Sequence, residues 1–551
     1  MKNRLLLAGL SGLLFWASWP TSPLTPLIFI ALVPLFFIHK EIQEDNSITK
    51  KGNVFFRYVY LALFLWNLLT TWWVWNASEG GAVMAILANT ALMTLPFALY
   101  HKINKQFNSF FSYTALIVFW LTFEFAHLRW DLSWTWLNIG NVFARYPETI
   151  QWYEWTGTLG GTLWVFLVNI GVYQLLITRR SGLPIKKYLL KLSILVLVPL
   201  MISFSLSFMQ ELKGEGNMNS EMLSDYKNAV VVQPNLDPYT AKFPDYTQPN
   251  GGSKFVPYNQ QVYSMIELSN SLIDEKTRWV VWPETSIQGR RSMRESVIDD
   301  YPNFQMVKNF LKKHPQITLV SGIDTWDTVN IGNNFISNPS YNKQIGYYKS
   351  YNTALFANAD TSIFYHKSKL VPGVEKLPFP AVLGFVLDII NFEGAGDYGI
   401  SPEPIVFGNQ EKQNIASIVC YESIYGEHTA NFVKKGANIL TIITNDGWWQ
   451  NTQGHKQHNM YGRLRAIETR RPILRSANTG ISSFIDVLGN EVISTKWDEK
   501  TAFKAIVKPR TEITVYVTYG DWIGRIALFI AGIYLAILLL TAFGMKMPWM
   551  V

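Results

Sequence analysis

The chain contains a single cysteine, and the run that leads to it ends as a strand ends at a site. Cys420 closes the apolar stretch Ile415-Ala-Ser-Ile-Val419 and is followed by Tyr421 and Glu422. A strand that stops at a thiol delivers it to the sheet's edge, where loops build sites, although a lone cysteine is also commonly a small buried hydrophobe. Two other apolar runs stop at ionisable groups. Trp279-Val-Val-Trp282 is broken by Pro283 and delivers Glu284, and Ile363-Phe-Tyr365 delivers His366 and Lys367. Together these residue types can perform acyl transfer. The carboxylate can take the thiol proton, the thiolate can attack a carbonyl carbon, and the ammonium can lower the thiol pKa and hold the oxyanion.

Other candidates carry less chemistry. His455 and His458, in Gly454-His-Lys-Gln-His458, have a spacing that could hold a metal, yet no third ligand of matching spacing accompanies them, so neither metal nor cofactor is expected. Glu124, His127 and Arg129 close an apolar segment, where they are expected to snorkel at a membrane boundary and serve structure. Asn76-Ala-Ser78 is a glycosylation sequon in form only.

The elements that must position these groups fall into two classes. Of 551 residues, 49% are hydrophobic, 15% aromatic and only 16% charged, against about 25% charged in a soluble domain. That composition excludes a disordered or nucleic-acid-tail protein and favours a membrane protein, with aromatic rings for the headgroup level. A mean hydropathy of +0.09 requires a large water-soluble part as well. Seven apolar segments, at about 5–20, 23–39, 56–75, 81–100, 109–127, 156–177 and 188–209, precede an eighth at about 522–543, each near the ~20 residues that cross a bilayer. The first is read as an uncleaved helix. The second, interrupted by Pro23, Pro26 and Pro34, is expected to be broken or tilted.

Basic residues cluster at alternate ends: Lys2 and Arg4, then Lys40, Lys50, Lys51 and Arg57, then Lys102 and Lys105, then Arg179, Arg180, Lys186 and Lys187. Such clusters stay cytoplasmic, so the net charge of +8 reports topology, and no nucleic-acid partner is expected. Seven spans then place the chain beyond Met209 outside the cytoplasm, and the last returns the carboxyl end inside. The expected domains are 1–210, seven membrane helices; 211–518, an extracytoplasmic α/β domain; and 519–551, a final membrane helix.

The middle region alternates short apolar runs (Ala229–Val232, Trp279–Trp282, Ile317–Val320, Ala354–Ala357, Ile363–Tyr365, Ile415–Val419, Ile439–Ile443, Ser482–Asp486) with helical segments Val262–Lys276, Phe304–Lys313 and Met460–Thr469. Unalternating strands of this kind are buried on both faces and belong in a sandwich covered by helices. Asp237–Lys254 reads as a long loop. Leu377–Phe392, strongly apolar, reads either as a buried helix or as an arm dipping into lipid.

Trp282-Pro283-Glu284, Tyr365-His-Lys367-Ser-Lys-Leu-Val-Pro372 with Glu375 eight residues after the lysine, and Cys420-Tyr421-Glu422 resemble the Glu-Lys-Cys signature of the nitrilase, or carbon-nitrogen hydrolase, superfamily. With membrane spans on both sides, the whole chain resembles the apolipoprotein N-acyltransferase family, and Asn445-Asp446-Gly-Trp448-Trp449, Arg465-Ala-Ile-Glu468, Arg471-Pro472 and Gly157 with Gly160-Gly161 extend the likeness. The resemblance implies an α-β-β-α sandwich joined to a polytopic helical domain of about eight transmembrane helices. It implies Cys420 as nucleophile, Glu284 as general base and Lys367 as the cation for the tetrahedral intermediate, with Glu375, Tyr421 and Glu422 supporting. Phe243, Phe379 and Trp448 are expected to contact substrate. The sequence departs from the family at Pro372-Gly373-Val374-Glu375, where Pro-Phe-Gly-Glu is usual, and at Lys242-Phe243, where many relatives carry Trp.

The implied reaction moves the sn-1 acyl chain of a phospholipid to Cys420 as a thioester and then to the amino group of a diacylglyceryl-modified cysteine at an apolipoprotein's start. The expected partners are those two substrates and the bilayer. The expected protein is a monomer in the bacterial cytoplasmic membrane with its catalytic domain on the periplasmic side. A membrane-tethered amidase would use the same triad with water as second nucleophile. A transporter would want charged or broken helices around a midplane cavity, and a dead homologue would lack triad residues.

Overall fold

In the computed structural model, residues 2–212, 226–245, 247, 252–330, 339–376, 378–379, 398–408 and 413–543 are described. The chain divides into two compact units, Met1–Met209 with Tyr519–Val551, and Gln210–Thr518.

The first unit is helical: α1 (Lys2–Ser18), α2 (Val33–Glu44), α3 (Lys51–Thr71), α4 (Glu79–Asn104), α5 (Ser109–His127), α6 (Tyr153–Arg180), α7 (Lys186–Leu212) and the later helix Trp522–Ala542. Among the described residues seven helical segments are long and apolar enough to cross a membrane; α1, at 17 residues, is shorter. This is a multi-pass membrane protein. The second span is broken where its prolines require. A 3₁₀ turn at Thr25–Ile30 carries Pro26 and α2 begins with Val33-Pro34, positions where a missing N–H costs no helical bond.

The expectation that Glu124 and His127 snorkel is corrected. Glu124 is buried and accepts hydrogen bonds from Trp120 Nε1 (3.0 Å), the Ile139 N–H (2.7 Å) and Thr162 Oγ1 (2.7 Å). His127 is buried too and accepts from Trp130 Nε1 at 2.8 Å. Nearby donors satisfy these groups internally, so neither has to reach water. Arg129 pairs with Asp521 at 2.7 Å.

The second unit is a nitrilase-like α/β sandwich. Its strands are β1 (Lys227–Gln233), β2 (Thr277–Val281), β3 (Met293–Arg294), β4 (Thr318–Thr328), β5 (Ser340–Asn342), β6 (Gly346–Ala357), β7 (Ser362–His366), β8 (Phe407–Gly408), β9 (Asn414–Val419), β10 (Ile439–Thr444), β11 (Ile473–Ala477), β12 (Ser483–Ile485), β13 (Glu491–Ser494) and β14 (Thr501–Val507). One sheet runs β14-β1-β2-β4-β6-β5, with β3 beside β4 and β7 beside β6; the other runs β13-β12-β11-β10-β9-β8. Period-two alternation of the strands separates two cores. Ala229, Val231, Val320, Ala354 and Phe356 pack with the second sheet's Ile415, Val419, Ile439 and Ile443. Val230, Val232, Leu319 and Leu355 instead meet helices α8 (Tyr258–Asn270) and α9 (Pro302–Lys313) through Val262, Met265, Val307 and Phe310.

Three sequence expectations change. The helix expected at Val262–Lys276 ends at Asn270, because Asp274 builds a turn, accepting from the Lys276 N–H and from Thr277 Oγ1. The helix expected from Met460 begins at Gln453. Strand β11 is hidden in the sequence because Arg475 interrupts its apolar pattern, yet that arginine is fully buried.

On the inter-sheet face, β4 reads Val320, Gly322, Asp324, and β6, antiparallel to it, reads Phe356, Ala354, Asn352. The face turns from apolar to polar at the register pair Asp324↔Asn352. Between them Gly322 gives passage, since a Cβ there would run into the backbone of Glu284 and Thr285. Gly322→Ala is therefore expected to destabilise the folded protein by the upper end of the ~1–3 kcal/mol of overpacking, read as a fall in thermal midpoint in detergent. An unchanged midpoint would show that this close approach is not rigid.

Candidate active site

Each candidate side chain is delivered by the way a strand ends. After β2 the Trp282 N–H still reaches Val320 O (2.8 Å), but Pro283 has no N–H to give and its carbonyl takes the Gly322 N–H (2.9 Å). The chain then leaves the sheet, with Thr285 at φ 51°. Both oxygens of Glu284 are held: Asn352 Nδ2 donates to Oε1 (2.8 Å) and the Asn445 N–H donates to Oε2 (3.0 Å).

At the end of β7 the Lys367 N–H pairs with Asn352 O (2.8 Å). The side chain, 1% exposed, puts Nζ 2.7 Å from Glu375 Oε1 and 3.6 Å from Glu284 Oε1. Asn352 Nδ2 also donates to Glu375 Oε1 (3.0 Å), and the Val371 N–H donates to Glu375 Oε2 (2.8 Å). One buried lysine thus lies between two carboxylates that one amide ties together. The unusual Pro372-Gly373-Val374-Glu375 still turns Glu375 onto the lysine, with Gly373 at φ 77° and the Glu375 N–H bonded to Val371 O (2.9 Å).

Cys420 follows β9 at φ 50° and opens a 3₁₀ turn, Cys420–Ile424. A left-handed non-glycine residue costs about 1–3 kcal/mol and persists only where its surroundings over-determine it. They do so here. Glu422, fully buried, accepts from the Val419 N–H (2.8 Å) through Oε2, and from the Ser368 N–H (2.6 Å), Lys369 N–H (3.1 Å) and Tyr365 hydroxyl (2.8 Å) through Oε1. That carboxylate laces the cysteine's turn to the lysine's loop. Ser423 Oγ donates to Cys420 O (2.8 Å), and Arg465 donates to the carbonyls of Ser423 (3.1 Å) and Ile424 (2.6 Å) while pairing with Glu468 (2.7 Å).

Behind the turn His458 places Nε2 2.8 Å from Ser423 Oγ and 3.2 Å from Cys420 O, and Nδ1 2.9 Å from Asp446 Oδ1. Arg475 donates to Asp446 Oδ2 (2.7 Å). This use of His458 replaces the metal spacing weighed from sequence. Burial opposes the Asp446 charge, but Arg475 and His458 outweigh it and hold the carboxyl well below its usual range.

Burial, and then Glu284, push the Cys420 thiol up; Lys367 lowers it, as expected of the ammonium, without outweighing them. A thiol pushed up in this way favours proton removal that accompanies attack. Burial also opposes the charge on Lys367, but Glu375 and Glu284 outweigh it, raise its pKa and fix the ammonium. A site with a protonated thiol, a carboxylate facing it and a permanent buried cation can run acyl transfer by concerted deprotonation.

Phe243 and Trp448 come together, stacked at 5.7 Å between centroids, with Tyr239 edge-on to Trp448 at 5.4 Å. Tyr421 is buried and edge-on to Tyr425 at 5.5 Å. Phe379 lies on another segment, half-buried at φ 48°. Apart from Pro378 and Phe379, the apolar stretch Leu377–Phe392 lies outside the described residues.

Comparison with known proteins decides the family. Residues 11–171 match the model of the apolipoprotein N-acyltransferase N-terminal domain, and residues 256–514 match that of carbon-nitrogen hydrolases. The chain belongs to the apolipoprotein N-acyltransferase family. Family members of that name from Chlorobaculum tepidum and Thermotoga maritima are 28% and 26% identical, over 95% and 96% of this chain and 94% and 92% of their own. Among solved structures, an amidase from Nesterenkonia sp. aligns at 13% identity over 53% of this chain and 92% of its own, with a TM-score of 0.34.

Within this family member's site, four residues carry no role that sequence alone assigns. Asn352 and Asp324 stand near the polar ends of their strands, where sequence alone does not separate them from ordinary strand margins. Asp446 stands out in sequence only as part of a motif, and Lys242 only as a departure from one. Lys242 is buried and donates to Glu284 O at 2.9 Å.

Proposed function

We propose that this protein N-acylates the amino terminus of diacylglyceryl-modified apolipoproteins, taking the sn-1 acyl chain of a phospholipid through a thioester on Cys420. The observation that carries the reading is the Glu284–Lys367–Glu375 constellation, built at strand ends next to the turn of the only cysteine in a multi-pass membrane protein. Support also comes from family members that bear the N-acyltransferase name across nearly the whole chain. Both substrates are membrane-anchored, so a nucleophile held beside the bilayer gains from proximity what a soluble enzyme must obtain by extraction.

Glu284 takes the thiol proton as sulfur attacks the donor ester. The oxyanion forms beside the Lys367 ammonium, and the proton passes to the leaving lysophospholipid alkoxide. The Cys420 carbonyl is drawn back by Ser423, and a planar peptide points its N–H opposite to its C=O, so the Tyr421 N–H is directed to the other side and can assist Lys367. Glu375 keeps the lysine charged and aimed. In this reading residues 1–210 and 519–551 hold the 211–518 catalytic domain at the periplasmic face of the cytoplasmic membrane, and the Phe243–Trp448 stack with Phe379 receives substrate. The protein works as a monomer.

The test is a half-reaction. Phospholipid alone should release lysophospholipid in an amount close to the enzyme present and then stall, because a lipid-facing site that excludes water preserves the thioester. A diacylglyceryl-cysteine peptide with a free amino end should restart release and carry the acyl chain away; an amino-blocked peptide should do neither. Continuous fatty-acid release indifferent to the peptide would favour a membrane-tethered amidase.

A further inference from the structure

The Asp324–Asn352 pair offers hydrogen-bond acceptors that none of the described residues uses. The two residues are directly opposite across β4 and β6, which puts their Cβ atoms about 4.5–5.5 Å apart on one face. Among the described residues the Asp324 carboxylate forms no hydrogen bond and no ion pair. Asn352, 6% exposed, leaves Oδ1 without a hydrogen-bond partner among the described residues. Its amide cannot be turned to relieve this, since Nδ2 serves both Glu284 and Glu375, and a flip would aim Oδ1 at two carboxylates. Lys242 does not fill the gap: its side chain donates to the Glu284 carbonyl and, among the described residues, forms no ion pair with Asp324.

A carboxylate and an amide oxygen left open beside Glu284 suit a ligand that is all donor and positively charged. Acceptors of that kind are what an ammonium group requires, with three N–H bonds and no lone pair. The chemistry of the second half-reaction asks for such a site. An α-ammonium that becomes an amide loses two protons, and Glu284 with the departing Cys420 thiolate accounts for only one of them.

We propose that Asp324, together with the amide oxygen of Asn352, binds the primary ammonium of the acyl acceptor and takes the first of its two protons. This rests on the acyltransfer reading above. The balance is complete. The ammonium gives one proton to the Asp324 carboxylate, leaving a neutral amine and a carboxylic acid. The amine lone pair then bonds to the thioester carbon as the C–S bond breaks. The second N–H proton passes to Glu284 and on to the thiolate, restoring the thiol, and Asp324 releases its own proton to solvent. The groups facing Asp324 are Glu284 after β2, Glu375 after β7, Lys242 after β1, and Tyr398. Burial, with Glu284 and Glu375 adding to it and Lys242 opposing, pushes the Asp324 carboxyl up to about 7, well matched to an α-amino group near ~8.

The test compares Asp324→Asn with the wild type in single turnovers of preformed acyl-enzyme. Acceptors are a diacylglyceryl-cysteine peptide and hydroxylamine, which is uncharged at neutral pH. At pH 7 the substitution should slow discharge to the peptide by about 10²-fold or more and raise its KM, while discharge to hydroxylamine changes little. The deficit should shrink above ~pH 8, where the peptide amine loses its proton unaided. Equal peptide rates, an equal deficit with both nucleophiles, or a deficit constant in pH would each overturn the proposal. If the variant does not fold, the wild type decides: its peptide rate should fall below about pH 7 as Asp324 becomes protonated, with no matching fall for hydroxylamine, and superimposable profiles would refute the assignment. A wild type that never forms acyl-enzyme would instead refute the acyltransfer reading itself.

Discussion

Cys420→Ala is expected to abolish lysophospholipid release and peptide acylation together, and Cys420→Ser to lose on the order of 10⁴-fold or more of turnover. The asymmetry between sulfur and oxygen comes from the surroundings. Burial and Glu284 push the thiol up, so taking its proton is already demanding for one carboxylate. An alcohol in the same place starts far higher and is not reached. Neither substitution should unfold the protein, because the left-handed turn is held by Glu422, Ser423, His458 and Arg465 through groups other than the thiol. Intact-mass analysis after incubation with phospholipid should show one acyl adduct on the wild type and none on the alanine variant. Turnover by the alanine variant at the wild-type rate would end the covalent mechanism.

Lys367→Met is expected to damage activity and stability for separable reasons. Losing an oxyanion donor typically costs ~10²- to 10³-fold in kcat. Removing one partner of a buried pair also leaves uncompensated charge, at about 3–5 kcal/mol; here Glu284 and Glu375 would remain, bridged only by the Asn352 amide. Adding Glu375→Gln to the methionine variant should return much of the thermal stability and none of the activity. Recovery of activity in the double variant would mean that Lys367 serves only to neutralise Glu375. No loss of stability in the single variant would mean that the carboxylates take up protons freely when the lysine is gone.

How much of this is legible in the sequence depends on what each residue reports. Membrane segments are long uniform runs, and even the break in the second span is written in Pro26 and Pro34. Cys420, Glu284 and Lys367 are legible because each ends an apolar run, which is a local signal. Asp324 and Asn352 are not, since their significance lies in a register pair between strands whose polar ends look like ordinary strand margins. Glu124 is misjudged because sequence gives depth along a helix but not the donors, Ile139 and Thr162, that meet it from elsewhere in the chain. The thiol's direction of shift is likewise beyond reach, because it compares burial against a lysine whose charge two carboxylates share.

The pairing of β1 with β14 has a consequence for biosynthesis. The first strand of the sandwich, Lys227–Gln233, is hydrogen-bonded along its length to Thr501–Val507, the last. A nascent chain can therefore pair β1, β2, β4 and β6 and form the turn of Cys420 before the edge strand beside β1 has been made. Contacts of such sequence separation form late. The outer edge of that sheet is thus completed only when synthesis has passed Val507, as the membrane helix Trp522–Ala542 is about to emerge.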